Sequence, residues 1–422
     1  MSAAPSLWFT RKSGALAFAL VLGCTVRPPT AAAQDFLPPL EVVENVLNAD
    51  PQVKAGLERV GQSRGEARRL EAGPHEWTMS GSYHRRDVED GMLSFGEYDA
   101  TISRGLRLPG KGRLDREIGA ALIKSAEQYA EDARHQTALS LMERWMAWLA
   151  ASETVTARRE LETAFAEEVR IVTRRAAVDD AAEIEVELAR AAHAASQVAT
   201  RQAEGEEARA RAELEAFFPD LPLPAAAPPI DRPPVLSEPE TWVERTIARS
   251  HEIGFYQAEA NRLEASARRA RADRTPDPSL GVRAFSERNG EETGLGLVLT
   301  VPLGGGARMG TASKEAAAAR EALQMLEKRK REIRSLARTN VIMATSEQEA
   351  WAAARSALDD SEAAVRRMRR GFELQAYDLA DLQAAERRFG EARLLEIEAR
   401  VRATIAWLTL QIDAHELWLE AD

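Results

Sequence analysis

The sequence predicts a mainly α-helical fold with a small membrane-type β component, in which long antiparallel coiled helical hairpins join four short strands and the plan is written twice. Three observations carry this expectation. Two stretches, Gly112 to Val178 and Arg308 to Tyr377, contain no proline and space their apolar residues three and four apart. Short segments elsewhere alternate apolar and polar residues, the period of a strand with one apolar face. Each half of the chain also repeats one order: helix, two strands, very long helix, tight turn, long helix.

Taken from the N-terminus, Arg11 and Lys12 precede an apolar run from Gly14 to Gly23 and then Thr30-Ala31-Ala32-Ala33. This is the layout of a secretory signal, expected to cover residues 1–33. Two cleavage readings stand side by side: a small-residue site after Ala33, or a lipoprotein-like Val21-Leu22-Gly23-Cys24 in which Cys24 is acylated. Cys24 is the single cysteine, so no disulfide forms within the chain on either reading. No later segment approaches the roughly 20 apolar residues of a membrane helix. The net charge is −11, and residues 1–33 carry only basic charges, so the exported chain is more acidic still. That balance argues against nucleic acid as a partner.

The first repeat is expected over 34–230. Leu40 to Leu70 reads as a helix carrying Asp50-Pro51, a proline suited to a first helical turn. His75 to Arg86 and Tyr98 to Leu108 read as strands around an acid- and glycine-rich loop, Asp87 to Glu97. The second repeat, 231–422, answers with a helix over Trp242 to Arg271 and with strands over Leu280 to Ser286 and Gly294 to Val301. Leu106-Arg107-Leu108-Pro109-Gly110-Lys111-Gly112-Arg113 and Leu299-Thr300-Val301-Pro302-Leu303-Gly304-Gly305-Gly306-Ala307-Arg308 mark where strand gives way to helix. The proline-free stretches that follow are nearly 70 residues each, rods of roughly 100 Å at 1.5 Å per residue. Helices of that length belong to coiled bundles. Eight of the 19 prolines fall between Pro219 and Pro239, an extended linker at the repeat boundary.

Four strands cannot close a membrane barrel, because an open edge in lipid leaves backbone groups unpaired. The chain is therefore expected to pool strands with copies of itself. Three copies would give a 12-stranded barrel, with the rods continuing below it as a hollow α-helical bundle.

Each rod reverses at a similar phrase, Ala176-Ala177-Val178-Asp179-Asp180-Ala181-Ala182-Glu183-Ile184 and Leu374-Gln375-Ala376-Tyr377-Asp378-Leu379-Ala380-Asp381-Leu382. In both, an Asp sits three residues before a second acid. Asp180 with Glu183, and Asp378 with Asp381, read as helix N-caps with capping-box-like partners. Capping accounts for the first acid of each pair. Asp381 is shorter than the usual Glu or Gln partner, which leaves it the better functional candidate, with Glu183 behind it.

The doubled plan, the two strand endings and the phrase GFELQAYDLADLQAAERR together resemble the TolC-type outer-membrane efflux family over essentially the whole exported chain. Within it, the Pro-Gly-Lys-Gly-Arg ending and the modest length are most similar to the heavy-metal cation efflux (CzcC-like) branch. The resemblance implies a homotrimer whose strands lie in the outer membrane and whose tunnel reaches into the periplasm. It implies a tip, formed by Asp180, Glu183, Gln375, Asp378 and Asp381, that meets a periplasmic membrane-fusion adaptor coupled to an inner-membrane pump. It implies no catalysis and no cofactor. Asp381 matches an aperture-lining acid, whereas a second such position falls on Ala384, and glycines usual at the turns are replaced by Ala177 and Gln375. Three copies of Asp381 would favour cations. The rival readings are a periplasmic coiled-coil adaptor or scaffold without a pore, and a duct of the same type serving drug efflux or type I protein secretion.

Other chemistry finds little support. The six histidines show no metal-ligand spacing. No nucleophile elbow, phosphate loop or dinucleotide fingerprint occurs. His75 and His84 lie near the first strand, where they could face a polar lumen or sit at an interface. The arginine-rich runs Arg268 to Arg274 and Arg366 to Arg370 have acids nearby and read as solvated helix faces. Trp77, Tyr83, Phe95 and Tyr98 suit an interfacial girdle, and Trp145 and Trp148 suit packing inside the rod.

Overall fold

The computed structural model describes residues 35–88 and 93–419, so the expected signal and Cys24 lie outside the described residues. The elements run α1 (Leu40–Ala49), α2 (Pro51–Ala72), β1 (Trp77–Asp87), β2 (Ser94–Gly105), α3 (Lys111–Ala176), α4 (Glu183–Phe217), α5 (Pro239–Ala248), α6 (His251–Ala272), β3 (Ser279–Glu287), β4 (Glu292–Thr300), α7 (Gly306–Glu373) and α8 (Leu379–Asp413).

Two expected single helices are each split. The Asp50 side chain accepts the Gln52 and Val53 amides at 2.7 and 3.3 Å, and Pro51 supplies no amide to continue α1. In the second half Ser250 plays the corresponding part, its hydroxyl accepting the Ile253 amide at 3.3 Å where α5 gives way to α6. The rods are the expected ones, α3 with 66 residues and α7 with 68. α4 returns along α3 and α8 along α7, while α2 and α6 flank α3 and α6 also meets α7. Close approach of α2 to α3 needs Gly119, where a Cβ would stand 2.9 Å from that of Ala67.

The four strands form one antiparallel sheet in the order β1-β2-β3-β4. Both hairpins are tighter than expected. Pairing runs to Asp87 opposite Ser94, with Glu97 opposite His84, so both ends of the expected first loop are strand. Acid-rich composition suggested a loop, but Glu97 finds Arg86 at 2.7 Å. Asn289 lies in the left-handed region of the second turn and ties the hairpins together, accepting the Gly96 amide at 2.6 Å.

The register sorts the sheet into two unlike faces. One carries Trp77 and Met79 of β1, Ile102 of β2, Leu280 and Val282 of β3, and Leu295, Leu297 and Leu299 of β4. These residues are exposed, Leu297 by 80% and Met79 by 78%. Tyr83 and Tyr98 meet on the same face with ring centroids 5.0 Å apart. The opposite face is polar: Thr78, Ser80, Ser82, His84, Thr101, Asp99 and Arg283. There His84 Nε2 lies 2.9 Å from Ser82 Oγ. Phe95, expected in the aromatic girdle, pairs with Arg86 and so stands on this polar face. His75 stands on neither, being half-buried at the joint below.

The main core lies midway along the rods. Trp145 and Trp148 meet edge-on at 5.2 Å and pack with Leu47 of α1, Leu214 of α4 and Leu408 and Ile412 of α8. The proline-rich linker is built into this core: Phe218, Leu221 and Ile230 are buried, and the Ile230 amide donates to Glu153 at 2.8 Å. Arg400 spans the Ile230 carbonyl (2.6 Å) and Glu153, closing the linker onto α3 and α8.

At the strand-to-rod joint, the Lys111 of the Pro-Gly-Lys-Gly phrase is only 2% exposed. Its Nζ donates to the Thr275 carbonyl at 2.7 Å and lies 2.8 Å from Asp277 and 2.9 Å from Asp273. Asp277 also accepts the Leu108 amide at 3.0 Å and faces His75 Nε2 at 3.1 Å. One lysine thus fastens the end of the first hairpin to the entry of the second.

Candidate functional site at the turn end of the rods

The two rod turns lie side by side. α3 closes with Asp179 in the left-handed region (φ 57°), and the Asp180 amide donates to the Arg175 carbonyl at 2.9 Å. In the second turn Gln375 takes the left-handed position (φ 57°), and the Ala376 amide donates to the Gly371 carbonyl at 2.8 Å. Gly371 has a further use: a Cβ there would collide with the Tyr377 ring, 2.2 Å away. Of the two positions expected to have lost a glycine, Gln375 carries the left-handed strain, whereas Ala177 is right-handed (φ −65°) and Asp179 carries it instead.

The structure corrects the role of Asp180. α4 begins at Glu183 with Ala182 as its N-cap, so Asp180 is two residues too early to cap it. Its carboxylate instead accepts Arg175 Nε at 2.9 Å and Gln375 Nε2 at 3.0 and 3.1 Å. Asp180 and Gln375 therefore form a direct tie between the two rod turns. The second cap is as expected, with Asp378 Oδ1 accepting the Asp381 amide at 2.8 Å. Glu183 and Asp381 are exposed acids in the first turns of α4 and α8, where the amino end of a helix favours negative charge. Around them Val178, Ile184, Leu374 and Tyr377 are exposed, so the tip presents apolar side chains between its acids.

Beneath the turns lies a polar layer that was not anticipated. Glu386 of α8 is 1% exposed and takes a two-pronged contact from Arg369 of α7, at 2.5 and 2.8 Å. Beside it Glu168 of α3 is 4% exposed, and among the described residues neither of its carboxylate oxygens nor Gln383 Nε2 makes a hydrogen bond. Burial pushes the Glu168 carboxyl up to about 7, opposed by the nearby Gln383 side chain, reinforced by Glu386 and opposed again by Arg369 and Arg387. The signal was present in the sequence: Glu168 stands on the seam between Phe165 and Val172, three and four residues away, where an apolar residue is the rule.

Sequence spacing also missed a histidine cluster in mid-rod. His135, His251 and His415 come from three separate elements to line a cavity of ≈300 Å³ with Asp413. The His251 and His415 rings lie 4.7 Å apart, and His135 Nε2 is 3.1 Å from Asp413. Among the described residues no group of three or more His, Cys, Asp or Glu is arranged to hold a metal.

No protein-family model matches the sequence, and no curated protein matches it either. The fold nevertheless has solved counterparts, and it is the fold of outer-membrane channel proteins. The outer-membrane channel OprN superposes with a TM-score of 0.73 at 17% identity, covering 90% of each chain. The Campylobacter jejuni CmeC outer-membrane channel gives 0.72 at 14%, covering 90% of this chain and 86% of its own. The Vibrio cholerae outer-membrane protein VceC gives 0.72 at 15%, with 89% and 95% covered. At such identities the likeness is one of fold.

Proposed function

We propose that this chain is one subunit of a homotrimeric outer-membrane channel, a passive exit duct of a tripartite efflux system, and not an enzyme. The observation that carries the reading is the sheet. Its strands of 11, 12, 9 and 9 residues have the length of membrane-crossing β-strands. One face is apolar and exposed, the other polar, as lipid outside and water inside require. Both edge strands, β1 and β4, have one unpaired side among the described residues, and two more copies would satisfy them in a closed ring of twelve. No described helix is long and apolar enough to cross a membrane.

On this reading the two repeats, 34–230 and 231–422, form the wall of a tunnel that projects into the periplasm, and the signal in residues 1–33 directs export. The tip would meet a membrane-fusion adaptor coupled to an inner-membrane pump, its exposed apolar residues serving as contacts. Heavy-metal cations are the cargo favoured by the resemblance of the strand endings. The decisive experiment is the mass and symmetry of the detergent-extracted complex together with its conductance in planar bilayers. A threefold, conducting complex is expected. A monomer that stays soluble without detergent would favour the scaffold reading and overturn this one.

The tip makes a more local prediction. Asp180→Ala removes the tie to Gln375 and should raise resting conductance, because the contact between turns contributes about 0.5–1.5 kcal/mol to holding them together. Asp381→Ala should instead reduce block by divalent cations while leaving resting conductance near that of the parent. Single-channel recording distinguishes the two, and identical behaviour in both variants would remove these roles from Asp180 and Asp381.

A further inference from the structure

Directly below the sheet, where the apolar face ends, arginines gather on one side of the helical wall. Arg64 and Arg68 of α2 and Arg116 of α3 rim a groove of ≈450 Å³. Arg268 and Arg271 of α6, with Arg274 just beyond it, rim a second of ≈510 Å³ between α6 and α7. The floors are small residues, Ala67 and Gly119 in the first, Ala267 and Ala312 in the second. All six arginines are exposed. Among the described residues Arg268 alone of the six has an acid within ion-pair distance, Glu117 at 2.9 Å. Exposed acids are fewer, one lining each groove, Glu71 and Glu264. In a chain of net charge −11, a basic patch on each repeat that is largely without ion pairs among the described residues calls for a partner.

The arginines lie on the outside of the wall. A third cleft, ≈590 Å³, touches α2, α3, α6 and α7 together, so it marks the concave side on which the four helices converge. Each arginine groove touches only a short helix and its rod, on the other, convex side. Beyond them on the sheet's apolar face stands Arg104, over the Trp77 ring at 5.6 Å, at the end of β1 and β2 that leads into α2 and α3. The outside of a closed barrel continues as the outside of the tunnel beneath it. Four of the five helical arginines, Arg68, Arg116, Arg268 and Arg271, lie within five residues of their helix ends, roughly 7.5 Å at 1.5 Å per residue and so within the roughly 5–7.5 Å of a headgroup layer just past the hydrocarbon, with Arg64 eight residues in.

We infer that these two grooves bind the headgroups of anionic phospholipids in the periplasm-facing leaflet, forming a basic collar that fixes the depth of the channel in the bilayer. This rests on the membrane-channel reading. Guanidinium groups suit phosphate by paired N–H donors, and alanine and glycine floors leave room for the glycerol and upper acyl chain. Basic pockets at this level attract anionic lipid headgroups.

The test uses the full detergent-extracted complex and native mass spectrometry of lipids retained from mixed phosphatidylglycerol and phosphatidylethanolamine micelles. Retention of phosphatidylglycerol over phosphatidylethanolamine should be on the order of tenfold in the parent and fall to near parity in the quadruple variant Arg64→Gln, Arg116→Gln, Arg271→Gln, Arg274→Gln. Inorganic phosphate at millimolar concentration should not displace the lipid; if it does, the grooves are free-anion sites and the proposal fails. Equal retention by parent and variant also overturns it. Both proteins are reconstituted in parallel and their conductance recorded: a conducting parent without lipid preference sinks the collar alone, whereas failure of both to insert sinks the channel reading and the collar with it.

Discussion

Replacing Lys111 with methionine should destabilise the assembly by about 3–5 kcal/mol, the cost of removing one partner from a buried ionic cluster. Methionine fills nearly the same volume, so the loss is electrostatic rather than a cavity. It leaves Asp277, the Thr275 carbonyl and Asp273 without the ammonium that each faces within 2.9 Å. Because Lys111 joins the end of β2 to the segment entering β3, the damage should show itself first as loose strand pairing near the joint. The measurement is the midpoint of thermal dissociation of the detergent-extracted complex, at neutral pH and again in acid. Burial raises the carboxyl pKa of Asp277, but the hydrogen bonds from Lys111 and the Leu108 amide outweigh it and the net shift is downward. Asp273 likewise ends low, through Arg269 and Lys111 against burial. A depressed carboxylate contributes stability that is present above its unfolded pKa, about 4, and is lost as pH falls through the folded value. Lys111→Met should therefore lose most at neutral pH and converge with the parent in strong acid. A variant as stable as the parent at pH 7, or a deficit that persists undiminished at low pH, would show that the lysine is not the fastener described here. Lys111→Arg is a useful companion, since it keeps the charge but is too large for the site; partial recovery is expected from it.

Much of the fold was legible because it is written in features that act locally. An absence of proline over nearly 70 residues and a three-four apolar spacing admit little besides a long rod, and Asp50-Pro51 announced the helix start that splits α1 from α2. Features that depend on partners distant in sequence were not legible. Asp87 to Glu97 has the composition of a loop, yet backbone pairing with β1 draws Ser94 to Glu97 into a strand. Asp180 has the spacing of a cap, yet its carboxylate is claimed by Gln375, 195 residues away. The histidine cluster draws from α3, α6 and the segment after α8, and no spacing rule could join them. The arginines of Arg268 to Arg274 read as a solvated face, and the structure separates them: Arg269 pairs with Asp115 on the concave side while Arg271 and Arg274 stand outside with no ion pair among the described residues.

Glu168 gives the second large effect, and its sign is opposite to that of the joint. Its folded pKa, raised by burial to about 7, lies above the unfolded value near 4.5, so the folded chain holds a proton that the unfolded chain releases between these limits. Stability must then fall as pH rises from about 4.5 to 7, with the full penalty present above that window and none below it. At about 1.36 kcal/mol per pH unit the penalty is on the order of 2–3 kcal/mol once water penetration is allowed for. Glu168→Gln keeps the shape and removes the charge. It should raise the thermal midpoint at pH 8, leave it unchanged at pH 4.5, and flatten the slope between. Glu252 is also raised by burial, against Arg329, and adds to the parent's slope, so the difference between parent and variant is the quantity to read. Position makes the charge matter beyond stability. Glu168 packs where α3 meets α8, separated from the Asp180–Gln375 tie by the apolar layer of Val172, Phe372 and Leu382, so a buried negative charge next to Glu386 pushes apart the two hairpins that the tie holds together. If the tip is an aperture, resting conductance should rise from pH 6 to pH 8 in the parent and stay level in Glu168→Gln. A parent slope that survives intact in Glu168→Gln would assign the pH response to other groups and leave this carboxyl as a silent feature of the seam.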